Sequence, residues 1–242
     1  MVKNDWKVII TMKKPGISIF YFLIGIMSII LQNHSSFYSG FIAKALIIPV
    51  LMILFLVNIN PLTSRLHRFM VAGLFFSWAG DVVLEFSKNN GNIFILGLAC
   101  FLLAHIMYLI LFFITPGKNS ILSNRIWLLI PVLTYGVVLV SYLYDDLAEM
   151  RLPVIMYAIV ILTMLAGAIN RKEKVKKNSY YLVLSGAILF VISDSAIAIN
   201  KFSHQFESSG IVIMLTYIVA QYLIVEGYIC QFSNLTPDQI TR

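Results

Sequence analysis

The chain has 242 residues, 60% of them apolar and only 12% charged, with a mean hydropathy of +0.88 and a formal net charge of +7. These values lie far outside the soluble globular range and describe an integral membrane protein whose helices leave no room for a soluble domain. The positive charge follows the loops between the helices, so no nucleic-acid partner is needed to account for it.

Polar breaks divide the sequence into apolar segments at about 17–32, 41–59, 69–86, 93–115, 126–143, 153–169, 180–199 and 211–232. Most have the roughly 17–25 residues that a spanning helix requires. The expected fold class is therefore all-α, a single polytopic transmembrane bundle of eight helices over 1–242. Lys3, Lys7, Lys13 and Lys14, the even-numbered loops with Arg65, Arg68, Lys118, Arg125 and 171–177, and Arg242 together hold fourteen of the eighteen basic residues. The positive-inside rule then places both termini in the cytoplasm, in a multi-pass topology that suits a bacterial inner membrane. The segment 1–14 lacks a long apolar core and a small-residue cleavage site, and it is not read as a signal peptide.

The first segment contains no ionisable group and reads as a lipid-facing wall. The second carries Lys44 about one turn inside its non-cytoplasmic edge, either snorkelling along the helix or serving a site, and then Pro49, which permits a kink. The third, FFSWAGDVVLEF over 75–86, buries two acids in a run that otherwise belongs in hydrocarbon. Asp81 and Glu85 are four residues apart and share a face, with Ser77 one turn earlier on the same stripe. A carboxylate at the centre of a membrane helix costs roughly 2.5–3.5 kcal/mol on insertion scales, so these acids point to function. Glu85 also fits a simpler role, an acid at a helix end satisfied by a neighbouring lysine. Gly73, Ala79 and Gly80 allow close approach of a partner helix.

The fourth segment places His105 and Tyr108 on one face, and a short loop makes it the neighbour of the helix carrying Asp81. The fifth and sixth contain no acid or base within the membrane, and the acids at 145–149 read as a solvated loop. The basic run 170–178 sets topology and secondarily attracts anionic lipid. The seventh carries Ser193 and Asp194 at nearly the depth of Asp81, and Asn200 and Lys201 close it. The eighth presents Tyr217 and Gln221 on one stripe, with Glu226 off it. Gly73 precedes Asp81 by eight residues and Gly186 precedes Asp194 by eight, a spacing that a parallel 4+4 repeat would produce and that coincidence also allows.

Two carboxyls in one poorly hydrated site do not titrate alike, which provides a general acid beside a general base. That suits hydrolysis through an oxocarbenium-like state. There is no GxSxG elbow, P-loop or dinucleotide fingerprint, and one His with scattered acids is a weak metal signature, so neither cofactor nor metal is expected. Cys100 and Cys230 lack a neighbouring Cys and read as packing residues, and the sequons at Asn33 and Asn234 are read as chance. A proton- or cation-coupled transporter using the same acids is the alternative.

The strings SWAGDVVL at 77–84, Gly97 to Phe101 with AHIMY at 104–108, FVISDS at 190–195 with NKF at 200–202, and Tyr217 with Ala220-Gln221 together resemble the YhhN-like family, which includes the animal lysoplasmalogenases. The resemblance implies hydrolysis of the vinyl ether bond of lysoplasmalogens, releasing a fatty aldehyde and glycerophosphoethanolamine or glycerophosphocholine. On the reading of two carboxyls above, Asp81 and Asp194 would share the acid and base roles in that reaction. Lys44 and Lys201 would meet the phosphate, while Ser77, Glu85, His105, Tyr108, Ser193, Asn200, Tyr217 and Gln221 would bind or support. The implied partners are a lysophospholipid or ether-lipid substrate and the bilayer itself.

Overall fold

The computed structural model describes residues 14–34, 37–59, 62, 64–87, 91–117 and 120–232, and they form helices and turns with no strand. Lys3, Lys7, Lys13, Lys88, Lys118, Arg242, the segment 1–13 and the sequon at Asn234 lie outside the described residues. The helices are α1 (Pro15–His34), α2 (Phe37–Asn58), α3 (Arg65–Glu85), α4 (Gly91–Ile114), the short α5 (Ile121–Asn124), α6 (Ile130–Leu143), α7 (Arg151–Ile169), α8 (Lys177–Ala198) and α9 (Ser209–Phe232).

Among the described residues, seven helical stretches are long and apolar enough to cross a membrane. The 21-residue α3 is long enough but is not one of them, because Arg65, Arg68, Asp81 and Glu85 dilute its apolar character. The helices start a few residues earlier than hydropathy predicts, α6 excepted. Ser64 accepts a hydrogen bond from the Leu66 backbone N–H, so α3 begins at Arg65 and not near 69. Pro131 acts in the opposite sense: the stretch expected to be one helix over 126–143 begins as a 3₁₀ turn, Ile126–Leu129, and becomes α-helical only at Ile130. At the end of α8 the backbone widens into a π-helical turn, Ile199–Ser203, that carries Asn200 and Lys201.

Two hairpin-like pairs, α3 with α4 and α8 with α9, make the most extensive contacts, and α4 joins the halves by packing on α7. α9 is the most enclosed helix, covered by α8, α1 and α2. Tyr21 of α1 donates to the Ile218 carbonyl at 2.8 Å, and Tyr222 donates to Ser18 at 3.1 Å, so even the wall helix is pinned to α9 by buried polar bonds. Its other side carries Ile19, Leu23 and Ile26, all more than half exposed, as a lipid-facing surface demands. Glycine is required where Gly186 lies: a Cβ there would come within 2.8 Å of the Ala220 carbonyl oxygen, a backbone atom that cannot step aside. At Gly73 the obstacle would be the Tyr108 ring at 2.5 Å.

Where α3 begins and α9 ends, a second polar cluster is buried. Arg171, in the turn after α7, is fully buried and donates through Nη2 to Gln231 Oε1 at 2.7 Å and Ser179 Oγ at 3.2 Å. Its guanidinium lies 5.4 Å from the centre of the Phe112 ring. Burial pulls the Arg171 pKa down to about 10, which leaves it charged at neutral pH. His67 is fully buried nearby among the rings of Phe55, Tyr228 and Phe232.

Candidate active site

Asp81 and Asp194 line one cavity of about 200 Å³, together with Lys44, Phe101, Ser193 and Tyr217. Helices 113 residues apart in sequence at these two acids are thus brought to one space (194 less 81). Asp81 is 4% exposed and accepts a 2.7 Å hydrogen bond on Oδ2 from the Tyr217 hydroxyl. The Tyr217 ring is held edge-on by Phe101 and Phe190, with centroids 5.9 and 5.6 Å away. A side chain locked by packing and bonded at its tip holds the carboxyl in one orientation.

Behind Asp81, the Gln221 amide spans three helices. Its Nε2 donates to Ser77 Oγ of α3 at 2.9 Å, and its Oε1 accepts from the Tyr108 hydroxyl of α4 at 2.9 Å. Ser77, His105, Tyr108 and Gln221 are all fully buried, and none of the four lines the cavity. They form the wall against which the acids are set. Lys44 forms an ion pair with Glu85 at 3.3 Å, their side chains 14% and 11% exposed. Lys44 lines the cavity, whereas Glu85 stands outside its lining.

Asp194 has different company. The Tyr157 hydroxyl of α7 donates to its Oδ2 in a short hydrogen bond. His105 Nε2 lies 3.6 Å from the same oxygen, an ion-pair separation just beyond hydrogen-bond reach. A short loop makes α4 the neighbour of the helix carrying Asp81, and the structure sets His105 of α4 against Asp194. Phe101 and Tyr108 occupy the stripe of α4 that packs on Gly80 and Gly73 of α3, and His105 is turned off that stripe toward α7 and α8.

The remaining expected residues are dispersed. Ser193 lines the cavity, but its hydroxyl is spent on the Ile213 carbonyl at 3.0 Å. Lys201 is exposed, with Nζ 4.8 Å from the centre of the Phe94 ring, and neither it nor Asn200 lines the cavity. Sequence reasoning missed Tyr157. It sits in a segment without acids or bases, and only the packing of α7 against α8 and α4 shows that it faces Asp194.

A site with two fixed carboxyls, one beside an ammonium group and one beside a phenol and an imidazole, can pass a proton to a substrate at one point and remove one at another. Residues 39–228 match the YhhN family. The chain is similar to lysoplasmalogenase TMEM86B of Sus scrofa, 30% identical over 162 residues, which are 67% of this chain and 63% of the pig protein. It is also similar to lysoplasmalogenase TMEM86B of Homo sapiens, 27% identical over 186 residues covering 77% of this chain and 74% of that protein. A lysoplasmalogenase of Mycobacterium tuberculosis is 24% identical over 177 residues, 72% of this chain and 65% of its own length. The match thus spans somewhat under two thirds of the pig and mycobacterial proteins. No solved structure matches this chain. The family match runs from before Lys44 to beyond Gln221 and so takes in every residue of the site, and the chain belongs to the YhhN family.

Proposed function

We propose that the chain is a lysoplasmalogenase-like hydrolase that cleaves the vinyl ether bond of a lysoplasmalogen, with Asp81 and Asp194 sharing the acid and base roles. The observation that carries this reading is that both acids, each hydrogen-bonded by a tyrosine, face one cavity that also holds an ammonium group. The names of the related proteins support it. In the reaction one carboxyl protonates the outer carbon of the vinyl ether, leaving an oxocarbenium ion, while the other takes a proton from the attacking water. The hemiacetal then loses its hydroxyl proton as the glycerol oxygen gains one, which restores both carboxyls and releases a fatty aldehyde and a glycerophospho-base. Lys44 would meet the phosphate, and Tyr108, Gln221 and Ser77 would hold the wall.

The same reading takes α3 as an eighth span, with both termini in the cytoplasm of a bacterial cell. Its support is that α3 packs along α4 and α2, two helices apolar enough to span. A 4+4 repeat is supported by the matched pairs α3–α4 and α8–α9, whose acids face the opposite half: Asp81 meets Tyr217 of α9, and Asp194 meets His105 of α4. The test is aldehyde release from a lysoplasmalogen by purified protein in detergent, with and without a chelator. Release that ignores the chelator and vanishes in Asp81→Asn and Asp194→Asn is expected. A folded protein that releases no aldehyde but carries protons across liposomes would replace the hydrolase with a transporter.

A further inference from the structure

The 200 Å³ cavity runs along the end of α3, where Asp81, Leu84 and Ser87 line it in turn, and Lys44 of α2 lines the same space. Glu85 stands one turn beyond Asp81, about 6 Å further along the helix axis. It lies outside the lining, but its Oε2 is only 3.3 Å from Lys44 Nζ, so the ammonium stands between the cavity and this carboxylate. Among the described residues neither charge has another ion pair, and both side chains are largely buried, 14% and 11% exposed. The backbones on either side are fixed. The Trp78 indole donates to the Ala45 carbonyl next to Lys44, and the rings of Phe41 and Phe86 meet edge-on at 5.2 Å next to Glu85. A change at this pair is therefore a change of side chains alone.

A phosphate that meets Lys44 draws the ammonium away from Glu85 and uncovers the carboxylate behind it. A ligand with no positive charge then leaves that carboxylate buried and unpaired, and removing one partner of a buried pair is costly. A zwitterion avoids the cost, because its own cation takes the place that Lys44 gives up. We infer that the Lys44–Glu85 pair is the receptor for a zwitterionic headgroup with a primary ammonium, the class of phosphoethanolamine, in which Lys44 takes the phosphate and Glu85 the ammonium. The inference rests on the hydrolase reading for the bond that is cleaved, and on the geometry of the pair for the headgroup. One helical turn separates Glu85 from Asp81, and a glycerol backbone with its phosphate oxygen spans a comparable length, so the ether bond lies by Asp81 when the headgroup lies by Glu85.

Glu85 also sets which amine is taken. A primary ammonium brings three N–H donors to a carboxylate, whereas a trimethylated one brings none and is held best by aromatic faces. The rings of the cavity are already engaged: Lys201 Nζ lies 4.8 Å from the centre of the Phe94 ring, and Phe101 packs edge-on against Tyr217.

The test is equilibrium binding to the full chain in detergent of acyl lysophospholipids that share one chain and differ in headgroup: phosphoethanolamine, phosphocholine or bare phosphate. None has a vinyl ether, so binding is read apart from turnover. In the parent the ethanolamine form binds about tenfold tighter than the bare phosphate, the worth of a hydrogen bond to a charged group, and several-fold tighter than the choline form. Glu85→Gln removes the preference by strengthening the bare phosphate form, which no longer strands a carboxylate. Glu85→Asp restores part of it, and Lys44→Met weakens all three. A preference that survives Glu85→Gln in protein that elutes as the parent does, or a parent that binds the three alike, overturns the inference. The preference without aldehyde release from an ethanolamine lysoplasmalogen keeps the headgroup site and sinks the hydrolase. Aldehyde release without the preference keeps the hydrolase and sinks the headgroup site.

Discussion

Asp81 and Arg171 are both buried charges, 4% and 0% exposed, near opposite ends of α3 and α9, yet their surroundings differ. Asp81 faces a 200 Å³ cavity that it shares with a second acid and a lysine. Arg171 is packed against Phe112 and bonded to Ser179 and Gln231, and among the described residues it has no carboxylate partner. Its Nε and Nη1 atoms are buried without hydrogen-bond partners among those residues. A buried charge that has space and reactive neighbours is placed to act on something. One that has been wrapped in rings and amides fastens helices: Arg171 ties the end of α7 to α8 and α9. Burial alone therefore does not identify a functional charge; the space next to it does.

The comparison breaks if the two ends respond alike to substitution. Asp194→Asn and Asp81→Asn should each lower aldehyde release by about a thousandfold, within the range set by loss of general acid–base catalysis, while the protein elutes from size exclusion as the parent does. Tyr157→Phe, which removes the donor to Asp194, should lower kcat by about tenfold to a hundredfold, the worth of a hydrogen bond to a charged group. Lys44→Met should raise KM several-fold for phosphate-bearing substrates with little change in kcat. Arg171→Met should leave kcat within about twofold but lower the melting temperature by several degrees, because it removes the donor to Ser179 and Gln231 and leaves both groups unpaired. Lys201→Ala should have the smallest effect, close to none on kcat/KM. A dead Arg171→Met in folded protein would erase the distinction, and a strong Lys201 effect would move the headgroup to the π-turn.

The fold was legible because hydrocarbon length is legible: each apolar segment of about the right length became a helix. The boundaries that shifted did so through side chains acting locally, Ser64 as a cap and Pro131 as a helix opener, which a hydropathy count does not weigh. Of the cavity residues, Asp81 and Asp194 stood out because carboxyls in hydrocarbon are costly, and Tyr217 only because it shares a stripe with Gln221. The pairing of His105 with Asp194 was not legible, since it depends on which neighbour one stripe of α4 meets. Tyr157 lacked any such signal, as tyrosine is at home in a membrane helix.

The composition of α3 bears on how the molecule is made. On the eight-span reading, this helix enters the bilayer with Arg65, Arg68, Asp81 and Glu85, and the groups that satisfy its buried polar atoms, Tyr217 and Gln221, lie about 140 residues later (Tyr217 follows Asp81 by 136, Gln221 follows Ser77 by 144). A ribosome adds all the helices from α4 to α8 before they emerge. Until then α3 is held only by its neighbours α2 and α4, through contacts such as the 3.0 Å bond from Trp78 to the Ala45 carbonyl and the Lys44–Glu85 pair. Biogenesis of this protein should therefore depend on the insertion machinery retaining α3 until α9 arrives, and truncation before α9 should leave α3 as the segment most readily lost from the membrane.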